Sequence, residues 1–97
     1  MKLGPLETDE IKMLRFDFTS EAGPGATLSS PEVTCTTYEG VDPAPAVKSG
    51  APTVVGSEVH QKVQGTLAGV TYKVRATVSD SDGLRHGITG YLEVVSG

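Results

Sequence analysis

Leu67-Ala-Gly-Val-Thr-Tyr-Lys-Val-Arg-Ala-Thr-Val-Ser79 carries the cleanest two-residue period in the chain. Val70, Tyr72, Val74, Ala76 and Val78 fall on one side, and Thr71, Lys73, Arg75, Thr77 and Ser79 on the other. Successive strand side chains point to opposite faces, so this alternation specifies a half-buried strand with one apolar and one wet face. β-Branched residues fill most of it, as a pleated surface favours. Just ahead, Leu67-x-Gly69-x-x-Tyr72 has the spacing of the corner at which a central sandwich strand begins, its tyrosine hydroxyl returning to nearby backbone.

Working outward, Asp80-Ser-Asp-Gly83 reads as a tight turn into a last strand from Leu84 to Val95. Leu84, His86, Ile88, Gly90, Leu92 and Val94 alternate on one face of it, and the pair forms a hairpin. Gly87 and Gly90 predict a bulge or a close backbone approach. Upstream, Thr53 to Val63 reads as a second hairpin around Gly56-Ser57, a Gly-first turn of the II′ type. Gln61 shares a face with Val59 and Val63, so it is either a core amide needing partners or the mark of an edge strand.

Ile11 to Ser20 is the first strand, with Leu14, Phe16 and Phe18 on one face and a Gly/Pro turn over Glu21–Gly25 behind it. Thr27 to Tyr38 follows, apolar at Leu28, Val33 and Cys35, with Pro31 demoting its first half to an edge or a bulge. Glu39 to Pro52 holds three prolines and is expected to cross between two sheets, with a short strand around Ala46 to Ser49. Its functional reading is a recognition loop. Residues 1–10 lack periodicity and read as a flexible arm, or one that docks on a neighbouring subunit. Six to seven strands without a convincing helix make residues 11–97 one all-β sandwich domain.

The 97 residues suffice for one modest core, and the net charge of −4, with dispersed basic residues, argues against nucleic acid as a partner. Cys35 is the one cysteine, so neither an intrachain disulfide nor a cysteine zinc cage can form; it reads as a small buried hydrophobe. The start has no apolar signal-peptide core, and no apolar run is long enough to cross a membrane. Starting at Met and ending soon after the last strand, the chain reads as a complete small gene product.

Chemistry-bearing patterns are sparse. Asp80-x-Asp-Gly83 resembles a calcium-loop fragment, but Thr89 stands where a bidentate glutamate would be needed, so it reads as a hairpin turn. His60 and His86 lie on different strands and no third partner is set by spacing. No serine lies in a nucleophile elbow, and no glycine-rich loop precedes a helix. No catalytic, metal or cofactor residue is expected. Lys73, Arg75 and Arg85 can share the wet face of the last hairpin as a cationic stripe, with Tyr91 the best-placed outer aromatic.

Taken in order, Phe16-Asp-Phe18, Gly25-x-x-Leu-Ser29, Gly40-Val-Asp-Pro-Ala-Pro-Ala46, Ser49-Gly-Ala-Pro52, Val59-x-Gln-x-Val-Gln-Gly65, Ala68-Gly-Val-x-Tyr-Lys-Val-Arg75 and Gly90-x-Leu-x-Val94 span nearly the whole chain. The series resembles a family of small immunoglobulin-like proteins of tailed bacteriophages and prophages. Gly65-Thr66 departs from a common Gly-Gly variant, at a turn. The resemblance implies an immunoglobulin-like (fibronectin III-like) β-sandwich and a structural or accessory role in the head, the head–tail joint or the tail. It implies contacts with other virion proteins, with self-association as a further partner, and a location in the virion or the host cytoplasm. It carries over no catalytic residues. The expected contact residues are Val41, Asp42 and Lys48 in the Pro-rich loop, and Lys73, Arg75, Arg85 and Tyr91 on the sheet. The alternative is a binding module for host surface carbohydrate or a receptor, with Tyr91 as its aromatic platform.

Overall fold

The computed structural model describes residues 3–19, 21, 25–43, 45, 47–65 and 67–96. The expected turn over Glu21–Gly25 falls mostly outside these, as do Met1, Lys2, Ala44, Ala46 and Thr66 from other readings. Among the described residues seven strands follow in chain order: β1 (Leu6–Glu7), β2 (Ile11–Asp17), β3 (Leu28–Glu39), β4 (Lys48–Val55), β5 (Glu58–Gln64), β6 (Thr71–Asp80) and β7 (Arg85–Val95). They form one sheet in the order β1-β7-β6-β3 and another in the order β2-β5-β4. Among the described residues no helix is long and apolar enough to cross a membrane.

The β6 alternation works as its sequence demands. Val70, Tyr72, Val74, Ala76 and Val78 are all buried, while Lys73 and Arg75 stand in solvent. They meet Leu14, Phe16, Phe18, Val59 and Val63 of the other sheet in a single apolar core between the two layers. Both phenylalanines are fully buried and anchor the core, but the strand expected to run to Ser20 ends at Asp17, and Phe18 lies just beyond it. Gly56, at φ +60°, opens the two-residue turn between β4 and β5, as a II′ turn requires.

Four readings gain detail or change. The amino-terminal segment is not a free arm from Leu3 onward. Leu6 is buried, β1 pairs parallel with β7, Leu3 N–H donates to Tyr91 O at 2.9 Å, and Thr8 N–H donates to Val95 O at 3.0 Å. A two-residue strand is too short to show a period, which is why the sequence hides it. Gly65 is what lets the segment cross: a Cβ there would run into the Glu7 backbone. In β7, Gly87 and Gly90 mark no bulge, since the register with β6 runs unbroken from Thr71↔Glu93 to Ser79↔Arg85. They make room for side chains instead, Arg75 over Gly87 and Leu3 over Gly90.

The Pro-rich connection is shorter than expected, because β4 begins at Lys48 and absorbs Pro52. A register gap between Ser49 and Thr53 accommodates the proline, which has no N–H to give the ladder. Gln61 resolves as a core amide in the central strand of its sheet, with no exposed surface. Its Nε2 donates to the carbonyls of Ser49, Gly50 and Lys62 at 3.2, 3.1 and 2.8 Å, tying β5 to the bulge in β4. Pro31 sits in the other irregular edge, at the register shift between Ser29 and Glu32 of β3.

Candidate functional site

With Tyr72, Val74, Ala76 and Val78 facing the core, the alternate positions of β6 and their neighbours form the outer face of the four-stranded sheet. The register sets three adjacent rows across β3, β6 and β7: Thr36–Lys73–Tyr91, Thr34–Arg75–Thr89 and Glu32–Thr77–Gly87. Tyr38 follows on β3, within a second register shift between Thr37 and Glu39. Its ring meets that of Tyr91, with centroids 4.7 Å apart and planes tilted by 55°. Strands two places apart lie about 10 Å from each other, so both rings lean across β6 to touch. The result is an aromatic ridge on a sheet face that also carries threonines, the cations Lys73, Arg75 and Arg85, and the carboxylates Glu32 and Glu93. Beside it lies a shallow, open depression lined by Ala68, Gly69, Thr71, Glu93 and Val95.

The three expected cations do share this face, but they are held differently. Arg85 is fixed by Ser79 Oγ at 2.8 Å, Thr77 Oγ1 at 2.9 Å and an ion pair to Glu32 at 3.2 Å. An exposed pair of this kind contributes about 0.2–1 kcal/mol, so its effect is to orient the side chain more than to hold the fold. Arg75 lies flat along the sheet, donating to Thr89 Oγ1 at 3.0 Å above Gly87. The Lys73 side chain makes no hydrogen bond or ion pair with any described residue, and Lys73 is in register with Tyr91. Its charge is available to a partner without breaking anything.

The loop candidates separate. Val41 is 82% exposed. Asp42 works inside the molecule: Tyr72 donates its hydroxyl to Asp42 Oδ2 at 2.6 Å across 30 residues of chain, and Thr37 Oγ1 donates to Asp42 O at 2.8 Å. The corner tyrosine therefore pins the β3–β4 crossover in addition to any local bond. Lys48 donates from Nζ to Val33 O at 2.9 Å, joining the edges of the two sheets.

The titratable groups elsewhere are structural. Asp80, buried at the head of the β6–β7 turn, accepts the Asp82 and Leu84 N–H groups on Oδ1 and faces His86 Nε2 across 2.7 Å on Oδ2. The His86 bond first, then that to Leu84, hold its carboxyl below the usual carboxylate range. Both oxygens are thus committed to the turn, not to a cation. Bonds from Thr19 likewise lower Asp17. Burial pushes the Cys35 thiol up to about 11, leaving it protonated and inert at neutral pH. His60 Nε2 and Glu58 Oε1 pair at 2.8 Å on the outer face of the smaller sheet. Among the described residues, no three of His, Cys, Asp and Glu gather as a metal site would require.

Sequence reasoning singled out Tyr91 but passed over Tyr38, which shares the two-residue period of Thr34 and Thr36 and could have been placed on the same face. Neither family models nor curated proteins compared with this chain give a match.

Proposed function

We propose that the chain is a non-catalytic, immunoglobulin-like accessory subunit of a phage or prophage particle. It docks on another virion protein through the outer face of its four-stranded sheet. The observation that carries this reading is the Tyr38–Tyr91 ridge beside the flattened Arg75 and Lys73, whose side chain has no partner among the described residues. Tyrosine and arginine dominate the energetics of protein interfaces, and side chains already oriented before contact lose little entropy on binding. The molecule measures 42 × 20 × 19 Å, so one broad side offers a footprint of the order of the ~800 Å² per partner that a standard interface uses. The immunoglobulin-like assignment is supported by strand order: numbered A to G along the chain, the sheets read B-E-D and A-G-F-C. The virion assignment rests on the motif series quoted above.

The alternative, carbohydrate binding, is favoured by the exposed Tyr38 ring. Against it, the two rings are turned toward each other instead of lying open as a stacking platform. Replacing Tyr38 and Tyr91 by alanine and Lys73 by glutamate tests the proposal. Each variant should fold normally and be lost from assembled particles. Full incorporation of a Tyr38→Ala/Tyr91→Ala/Lys73→Glu triple variant sinks the proposed surface, and specific binding to a glycan array moves the assignment to the alternative.

A further inference from the structure

A sheet edge left regular is a template for another strand, and folded proteins blunt their edges for that reason. Three of the four edges here are blunted. β4 is interrupted by Gly50 at φ +77°, by the Ser49–Thr53 register gap and by Pro52. β3 is broken at Ser30 (φ 51°) beside Pro31, and its Val33 carbonyl accepts Lys48. β1 is two residues long and follows Pro5.

β2 has none of these devices except charge. Its seven residues contain no glycine or proline and pair with β5 without a shift, from Ile11↔Gln64 to Asp17↔Glu58. Phe18 N–H bonds to Ser57 O just beyond the strand. Antiparallel ladders alternate, so Phe16, Leu14 and Lys12 address β5, and Ile11, Met13, Arg15 and Asp17 turn their N–H and C=O groups to the free edge. Those four side chains lie on the outer face and are exposed, Ile11 at 61% and Met13 at 43%.

The charges along this edge fall into two rows. Asp17 stands opposite Glu58, which places like charges directly across the strands, and Arg15 stands opposite His60. Arg15 has no hydrogen bond or ion pair with any described residue. A two-fold axis that superposes one row on the other resolves both features. With the axis at Phe16, Arg15 of each copy faces Asp17 of the other, and the ladder runs over Arg15–Asp17, Met13 falling opposite Thr19 beyond the end of β2. With the axis at Arg15, the arginine would face itself; at Leu14, Met13 would face Arg15 and Ile11 would face Asp17. Opposite charges across a pair stabilise it and like charges do the reverse.

We propose that two copies of this chain associate through antiparallel β2–β2 pairing about a two-fold axis at Phe16, making one six-stranded sheet, β4-β5-β2-β2-β5-β4, closed by reciprocal Arg15–Asp17 pairs. Such an interface is isologous and limits the assembly to a dimer. It leaves the tyrosine ridge on the other sheet untouched.

Sedimentation equilibrium of the purified chain tests this without any particle or other partner. The wild type should form dimers with a measurable Kd. Arg15→Asp and Asp17→Arg should each weaken dimerisation at least tenfold by setting like charges opposite one another. The double exchange Arg15→Asp/Asp17→Arg restores complementarity and should return Kd to within about threefold of wild type. Arg15→Pro removes an N–H that faces the free edge inside the Arg15–Asp17 pair and is not bonded to β5, so it should abolish the dimer while circular dichroism shows the fold retained. A monomeric wild type up to millimolar concentration overturns the proposal. So does a dimer indifferent to the single exchanges, or one that the double exchange fails to restore.

Discussion

The bond from Tyr72 to Asp42 can be removed at the cost of a single oxygen atom. Tyr72→Phe keeps the fully buried ring in the core and opens no cavity, so its whole effect falls on the hydroxyl. That hydroxyl gives a 2.6 Å bond to a carboxylate oxygen. A bond to a charged group contributes about 1.5–3 kcal/mol, and the lower half of that range applies because Asp42 is partly solvated and water replaces the lost donor. A loss of about 2 kcal/mol follows. For a chain of this size it amounts to a fall of roughly 8–16 °C in Tm, against a total stability of about 5–15 kcal/mol. Urea denaturation of wild type, Tyr72→Phe, Asp42→Ala and the double variant measures it directly. The cycle should give a coupling energy of about 1 kcal/mol or more, well beyond the ~0.3–0.5 kcal/mol scatter of independent sites. Hydrogen exchange in the Gly40–Val47 crossover should quicken in both single variants, since the pin that holds it to β6 is gone. A Tyr72→Phe chain within 0.5 kcal/mol of wild type (roughly the resolution of the method), or an additive cycle, would refute the reasoning.

Other expected outcomes are as specific. Phe16→Ala should lose about 3–5 kcal/mol of unfolding free energy, because the ring is fully buried between the sheets. Gln61→Leu should cost about 1–2 kcal/mol and raise exchange at the β4 bulge: the Ser49 and Gly50 carbonyls lose their donor, partly offset by removal of an Oε1 that has no partner among the described residues. Gly65→Ala should strip β1 from β7, seen as lost amide protection at Leu6–Thr8 with the β6–β7 hairpin still protected. Asp80 has its pKa lowered on folding, so the unfolded chain binds its proton first as pH falls. Its stabilisation is present above the ordinary aspartate value of about 4 and is lost as pH drops through the lowered folded value; Asp80→Asn should flatten stability against pH in that acid window.

What could be read from the residues depended on how many of them cooperate in one signal. β6 was legible up to Ser79, because five apolar and five polar residues from Val70 to Ser79 alternate without exception; its last residue, the buried Asp80, was read as part of the turn. β2 and the β4–β5 hairpin were legible for similar reasons, the first from Leu14, Phe16 and the adjoining Phe18 and the second from Gly56. β1 was not, since two residues cannot show a period and its stability comes from contacts with Val94 and Val95, far along the chain. Pro52 argued for a loop and was absorbed by a bulge, an outcome decided by the Gln61 amide across the sheet. The candidate surface was half visible. Lys73, Arg75, Arg85 and Tyr91 follow from the β6 and β7 periods, but the closure of Tyr38 on Tyr91 needs the register across three strands. Asp42 and Lys48, exposed-looking in a Pro-rich loop, are committed to Tyr72 and Val33 by tertiary contacts that no local pattern encodes.

The most direct test of the proposed role is quantitative mass spectrometry of gradient-purified phage particles induced from the organism that encodes the chain, carrying either the wild-type gene or Tyr38→Ala/Tyr91→Ala/Lys73→Glu. The account predicts a fixed, stoichiometric copy number in wild-type particles and its loss with the triple variant, while the variant remains folded in the lysate. Wild-type particles free of the chain, with the protein plentiful in the lysate, would contradict the virion role; equal incorporation of both forms would contradict the sheet face as the docking surface.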